Sequence, residues 1–416
     1  MNPPTSEVVA VVSAVPMSGA DVTDAEVAAV VGVLRSGCLS IGPRTDEFER
    51  QVAALTGAKH AVAVSSGTAG LHLAVIAAGV ESGDLVLTTP FSFVASANCV
   101  LYERAIPIFV DVDPVTGNID PDLVERVARD LRAGGEARER WLPPARRGLI
   151  PPTARLKAIV PVHAFGQPAD MDPLVDVARA SDVALIEDAC EAIGSTYKFR
   201  PVGAIGDAGV FAFYPNKQMT TGEGGVIVTN RDAWASLFRS LRNQGRDTMD
   251  AWLRHERLGF NYRMDELSAA LGTAQLSRFE ALVGARDTVA GWYRDRLAGV
   301  PGVELPAVVP STTRMSWFAY VVRLAGVNRE KVIRGLAEHG IPSRTYFNPI
   351  HLQPFYAGLF GYRRGDFPVT EALGDRCLAL PFSATLTEAQ VDRVCDALTG
   401  LVAQHSELGG SVSLLA

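Results

Sequence analysis

From residue 60 to residue 230 the apolar positions fall in short runs, each followed by a turn of small residues and then by apolar residues at helical spacing. Ala61, Val62, Ala63 and Val64 make the first run, residues 65–68 a turn, and residues 69–78 a helix beginning at that turn. The rhythm repeats with strands expected at 84–88, 107–112, 157–162 and 183–186, and with helices at 94–102 and 172–180. Strands this short and this continuously apolar are covered on both faces, which predicts an α/β fold with a large, doubly wound, mostly parallel sheet. Residues 209–213 read as a further buried strand ended by Pro215, and Val226, Ile227 and Val228 as the strand that follows a glycine-rich turn.

Outside that region the period is helical. Asp21, Thr23 and Asp24 are cap candidates for a helix over 25–35, with a second amphipathic helix over 46–56 and a glycine- and proline-bearing loop at 36–43 between them. That loop suits a ligand or a plain connector equally. A helical pattern over 264–297 leads to a smaller α+β unit, with a strand at 317–324, a helix at 329–339 and a closing helix at 387–403. The expected division is a large domain over 1–284 and a small C-terminal domain over 285–416. Residues 128–152 break the rhythm with six arginines and two proline pairs, and read as a surface excursion with a solvated charge.

Composition narrows the partners. A net charge of −7 over 416 residues supplies no basic footprint for nucleic acid or an acidic membrane. The five cysteines show no Cys-x-x-Cys pair and no metal-ligand spacing, so free thiols, no metal and a reduced cytoplasm are expected. The apolar stretch at 8–15 lacks a basic flank and is too short to span a bilayer.

Four features carry chemistry. Lys217 follows a buried strand and precedes Gly222, Gly224 and Gly225. A lysine desolvated there has a lowered pKa and forms a Schiff base with a carbonyl, although the position also suits a surface hairpin lysine. The turn Ser65-Ser66-Gly67-Thr68 opens a helix, so free N–H groups and the positive helix end make a cup for phosphate. Phe93 offers a flat face for an aromatic cofactor, or a core contact. Asp188 ends the strand at 183–186, where open α/β sheets place ligands, and suits either a pyridine nitrogen or a cap for a helix over 189–193. Pyridoxal phosphate asks for all four at once.

Together with Pro90-Phe91-Ser92-Phe93-Val94-Ala95, Pro161-Val162-His163, Glu187-Asp188-Ala189, Tyr214-Pro215-Asn216-Lys217, Gly222-Glu223-Gly224-Gly225 and Asn261-Tyr262-Arg263-Met264, these features make the chain resemble the DegT/DnrJ-type sugar aminotransferases, pyridoxal-phosphate enzymes of fold type I, over nearly its whole length. The resemblance implies that Lys217 forms the internal aldimine, Asp188 pairs with the pyridinium and Phe93 stacks on the ring. It also implies that Gly67, Thr68 and Ala69 hold the phosphate, and that Asn261 reaches the cofactor of the neighbouring subunit in a homodimer with shared sites. Members often carry Gln and Ser where this chain has Glu191, expected near the cofactor's phenolic oxygen, and Ala212, which cannot donate to the phosphate. The implied reaction moves an amino group, through the pyridoxamine form, from an amino acid such as glutamate to a keto group of a nucleotide-linked deoxysugar. A keto-cyclitol acceptor and a non-catalytic cofactor-binding regulator are the alternatives. Tyr346, Asn348 and His351 are the candidate substrate contacts of the small domain.

Overall fold

The computed structural model describes residues 14–246 and 254–406, so most of the apolar stretch at 8–15 lies outside the described residues. In chain order the strands are β1 (His60–Val64), β2 (Leu85–Thr88), β3 (Ile106–Phe109), β4 (Leu156–Val160), β5 (Ala184–Asp188), β6 (Thr196–Tyr197), β7 (Arg200–Pro201), β8 (Ala208–Ala212), β9 (Gly225–Thr229), β10 (Val303–Glu304), β11 (Thr312–Arg314), β12 (Tyr320–Leu324) and β13 (Cys377–Leu380). Seven of them form the central sheet in the order β1-β9-β8-β5-β4-β2-β3. The pairs from β8 through β5, β4 and β2 to β3 are parallel, while β9 runs antiparallel to both β8 and β1. The fold is the α/β, mostly parallel architecture of fold type I enzymes.

Strand alternation explains why the runs are apolar throughout. Val226 and Val228 enter the core on one face with Phe211, Phe213 and Leu87, whereas Ile227 enters the core on the other face with Val210, Val64 and Leu71. Each fully buried phenylalanine of this kind contributes about 2 to 3 kcal/mol. Gly225 shows what holds the hairpin against the cup: a Cβ there would lie 2.6 Å from the Ser66 carbonyl carbon and 2.7 Å from the Gly67 nitrogen.

The helix Asp24–Ser36 starts on Thr23 with Glu26 closing a capping box. Buried Glu26 also accepts from Gln275 and Arg278, and Arg278 is where the helical pattern over 264–297 divides into Glu266–Ser277 and Phe279–Leu297. The loop at 36–43 is tied to Glu266, whose N–H donates to the Leu39 carbonyl at 3.0 Å and whose carboxylate accepts from the Arg44 and Thr45 N–H groups just beyond the loop at 2.8 and 3.0 Å.

A second core surrounds the antiparallel sheet β10-β12-β13, with the helices Arg329–Glu338 and Glu388–Gln404 packed on it. The helix Phe279–Leu297 joins both cores, with Phe279, Leu282 and Val283 in the first and Val289, Ala290, Tyr293 and Leu297 in the second. The expected domain boundary at 284/285 therefore falls inside one continuous helix.

The arginine-rich stretch exposes Arg129, Arg132, Arg140 and Arg147 as expected, but it also reaches into the core. It forms the end of the helix Pro121–Ala133, the helix Gly135–Glu139 and the turn Pro144–Arg146, and its Leu131, Leu142 and Ile150 belong to the main core. Arg138 is buried and donates to the Pro151 carbonyl, while the Arg146 guanidinium lies over Phe360. The apolar residues between the arginines pull the segment inward, and the long side chains lay their stems along it.

Among the described residues no helix is long and apolar enough to cross a membrane, and no His, Cys, Asp and Glu cluster is arranged to hold a metal ion.

Candidate active site

The site lies at the edge of the sheet where β5 and β8 end and β9 begins. An antiparallel hairpin rather than a helical crossover joins β8 to β9, so the chain between Ala212 and Gly225 stays at that edge and carries Lys217. The helix Gly67–Ala77 begins beside it, with Ser66 as its N-cap.

Asp188 is the last residue of β5 and is buried. One carboxylate oxygen accepts from Ser96 Oγ at 2.6 Å and the other from the Cys190 N–H at 3.2 Å. Residues 189–195 form an irregular turn, so the helix that Asp188 was to cap is absent. Two bonds leave part of the roughly four acceptor directions of a carboxylate open toward the site.

Lys217 Nζ is mostly shielded from solvent and faces two groups: Glu191 Oε1 at 3.4 Å and the Phe318 ring, whose centroid is 3.9 Å away. Glu191 is anchored from behind, its other oxygen accepting from the Phe165 N–H at 2.9 Å. Burial pushes the Glu191 carboxyl above its usual range, and the neighbouring Lys217 charge pulls it back. Burial likewise raises the Tyr346 hydroxyl, with the Glu191 charge as the second cause, and the Tyr346 ring stacks at 6.2 Å on Phe318 and at 6.4 Å on Phe165.

At the cup, a Cβ on Gly67 would sit 2.7 Å from the Ala212 Cβ and 2.8 Å from Cys190 Sγ, so only glycine lets the helix start pack this closely against the end of β8 and Cys190. The Ala69 N–H donates to Ser66 Oγ at 3.1 Å, which leaves Gly67 and Thr68 as the helix-start groups for an anion. Ser66, one residue before the turn glycine, is thus the cap. Phe93 is 62% exposed, far more than a core ring allows.

Not every expected residue is gathered here. His351 is fully buried and its Nε2 lies 3.0 Å from Glu371 Oε1, so it has no face to offer a substrate. It is a packing residue between Phe367 and Tyr362. Asn348 is exposed on the loop that carries Tyr346. Asn261 is exposed too, and the next residue, Tyr262, accepts from the Ser65 N–H at 2.8 Å. Sequence reasoning passed over Ser96, Phe318 and Phe165. Ser96 stands one residue beyond the motif that carries Phe93, while the other two enter only through tertiary packing.

Three comparisons bear on this geometry. The family model of the DegT/DnrJ/EryC1/StrS aminotransferase family matches residues 20–399. GDP-perosamine synthase of Caulobacter vibrioides is 42% identical over 363 residues, covering 86% of this chain and 90% of that protein. Spore coat polysaccharide biosynthesis protein SpsC of Bacillus subtilis is 37% identical, covering 91% and 94%. Among solved structures, S. venezuelae DesV in complex with a ketimine intermediate superposes with a TM-score of 0.79 at 33% identity, covering 90% of this chain and 93% of that one. The chain belongs to the DegT/DnrJ/EryC1/StrS aminotransferase family, the pyridoxal-phosphate-dependent sugar aminotransferases. It is a transaminase, and the reading as a regulator without turnover falls away.

The residues present fit that cofactor. The Gly67 and Thr68 N–H groups at a helix start capped by Ser66, the partly open Asp188 carboxylate and the shielded Lys217 amine are the donor set it requires.

Proposed function

We propose that the enzyme transfers an amino group from L-glutamate to a keto group on a nucleotide-linked deoxysugar, and that Lys217 carries the reaction. The observation behind this is the meeting of Lys217, Glu191 and Phe318 at the edge of the sheet where Asp188 ends β5. When bound, pyridoxal phosphate supplies an electron-withdrawing ring that acidifies a C–H bond next to the transferred nitrogen. Gly67 and Thr68 hold its phosphate through backbone N–H groups, and Phe93 covers one ring face. Asp188, oriented by Ser96 Oγ, keeps the ring nitrogen protonated.

Lys217 would hold the cofactor through its amine, and that amine, when free, would take and return the proton at the reacting carbon in both half-reactions. Glu191 faces that amine and holds it toward the site, and burial raises its affinity for a proton. Tyr346 and Asn348, on one loop, face the acceptor.

The large unit over 1–284 binds the cofactor, and the small unit over 285–416 contributes that loop. Two copies form a homodimer in the cytoplasm, with Asn261 completing the partner's phosphate site. Co-refolding inactive Lys217→Ala with inactive Asn261→Asp restores activity if the sites are shared, because one site of the mixed dimer then receives neither lesion. No recovery in demonstrated mixed dimers rules sharing out.

The substrate assignment is tested by incubating the enzyme with glutamate and a panel of keto nucleotide sugars and keto-cyclitols, and scoring 2-oxoglutarate and the aminated product. Turnover confined to the cyclitols overturns the nucleotide-sugar reading.

A further inference from the structure

Arg286 is the largest side chain buried to under 2% in the molecule, at 1% exposure. It sits in the middle of the helix Phe279–Leu297, on the stripe that carries Leu282, Val283, Val289 and Ala290, where its spacing calls for an apolar residue. Among the described residues it makes no ion pair. Its guanidinium lies 5.6 Å from the Phe382 ring, and burial lowers its pKa to about 10, which keeps it charged at neutral pH. A buried charge without a counter-ion persists only where hydrogen bonds compensate it.

The four compensating bonds have one theme. Nη2 donates to the carbonyls of Asn216 and Lys217 at 3.3 and 2.6 Å, and Nη1 to those of Trp317 and Phe318 at 3.3 and 3.2 Å. One rigid fork therefore ties the backbone of the reactive lysine to the backbone of the ring on which the lysine's amine rests. The first pair of carbonyls belongs to the loop between β8 and β9, the second to the approach to β12, so the fork also bridges the two cores.

We infer that Arg286 is a positioning residue for transamination: it fixes the placement of Lys217 over Phe318, and so the line along which the amine delivers its proton. It acts through these two backbones. The inference rests on Lys217 being the cofactor-bearing residue, a premise that borohydride labelling of the unaltered enzyme reads separately.

Arg286→Lys tests it, because an ammonium keeps the charge but cannot span two carbonyl pairs with the geometry of a planar fork. The expected variant has the parental far-UV circular dichroism and binds pyridoxal phosphate, and Lys217 is labelled by borohydride to the same extent. Its kcat per labelled site is lower by on the order of a hundredfold, the consequence of an ångström-scale misplacement, while KM for the amino donor is unchanged. A purely structural role moves different quantities: fewer sites carry label, and each labelled site turns over at the full rate. That pattern, or an unchanged kcat per labelled site, overturns the proposal. If Arg286→Lys does not fold, Arg286→Gln takes its place with the same readouts. Failure of both to fold leaves Arg286 a packing role alone and also overturns it.

Discussion

Glu187 and Asp188 are neighbours at the end of β5, and strand alternation turns them to opposite faces of the sheet. Glu187 is fully buried and accepts from the N–H groups of Gly203, Ile205 and Gly206, each at 2.7 Å, and from His163 Nε2 at 3.0 Å. His163 has its tautomer fixed, because its Nδ1 accepts from the Ala169 N–H and its Nε2 must then donate. Asp188 accepts from Ser96 Oγ and from the Cys190 N–H. Two carboxylates of like burial thus do different work. The one whose acceptor capacity is filled by protein locks a loop, and the one left partly open faces the chemistry.

The comparison is broken most severely by the reactive pair. Lys217→Ala is expected to lower turnover by about 10⁴-fold, since the chain offers no second amine at that place. Asp188→Asn should cost about 3 to 4 kcal/mol of barrier, because a neutral amide cannot stabilise a protonated ring nitrogen as charge develops. In both, the melting temperature of the cofactor-free protein stays near the parental value. A near-parental rate in Asp188→Asn would remove the distinction between the two carboxylates.

Glu187→Gln reverses the pattern. It exchanges an acceptor of four hydrogen bonds for an amide that turns an NH₂ toward N–H donors, at a cost of about 3 kcal/mol of stability. Denaturant titration measures that loss. Whatever protein remains folded should keep its kcat per cofactor-loaded site.

The smallest effect belongs to Glu191. Burial raises its folded pKa above the unfolded value, so the native state holds the proton more tightly. Its stabilising contribution is complete below the unfolded value near 4.5 and is lost as pH rises through the raised folded value. Glu191→Gln should therefore flatten the fall in stability above the unfolded value near 4.5, while activity changes by less than about tenfold, or about 1.4 kcal/mol. A parental pH dependence of melting would place the titrating group elsewhere.

Which face each of the two adjacent carboxylates takes was not legible in the sequence, because Glu187-Asp188 is the same pair of letters in either arrangement. The strand ending there was legible, since continuous apolar runs and turn residues are local signals. So were Lys217, the cup at Gly67 and Phe93, each set at a strand end or a helix start. The helix expected over 189–193 failed because the Asp188 carboxylate and a tight turn satisfy the backbone locally instead. His351 failed because its partner Glu371 lies twenty residues on and draws it into the core. In the arginine-rich stretch the exposed charge was legible, whereas the anchoring of Leu131, Leu142 and Ile150 in the core depends on tertiary packing. Arg286 had a signal, a cation on an apolar stripe, but its four carbonyl partners are distant in sequence.

The most direct test is borohydride reduction of the pyridoxal-phosphate-loaded enzyme followed by peptide mapping. The chain contains four other lysines, Lys59, Lys157, Lys198 and Lys331, of which Lys59 and Lys198 are exposed and paired with Asp232 and Asp172. The reduced cofactor is expected on the peptide that contains Lys217, with the visible absorbance lost in proportion. Label on another lysine, or a fully loaded enzyme that borohydride does not fix, would contradict the assignment of Lys217 at the carboxyl edge of the sheet.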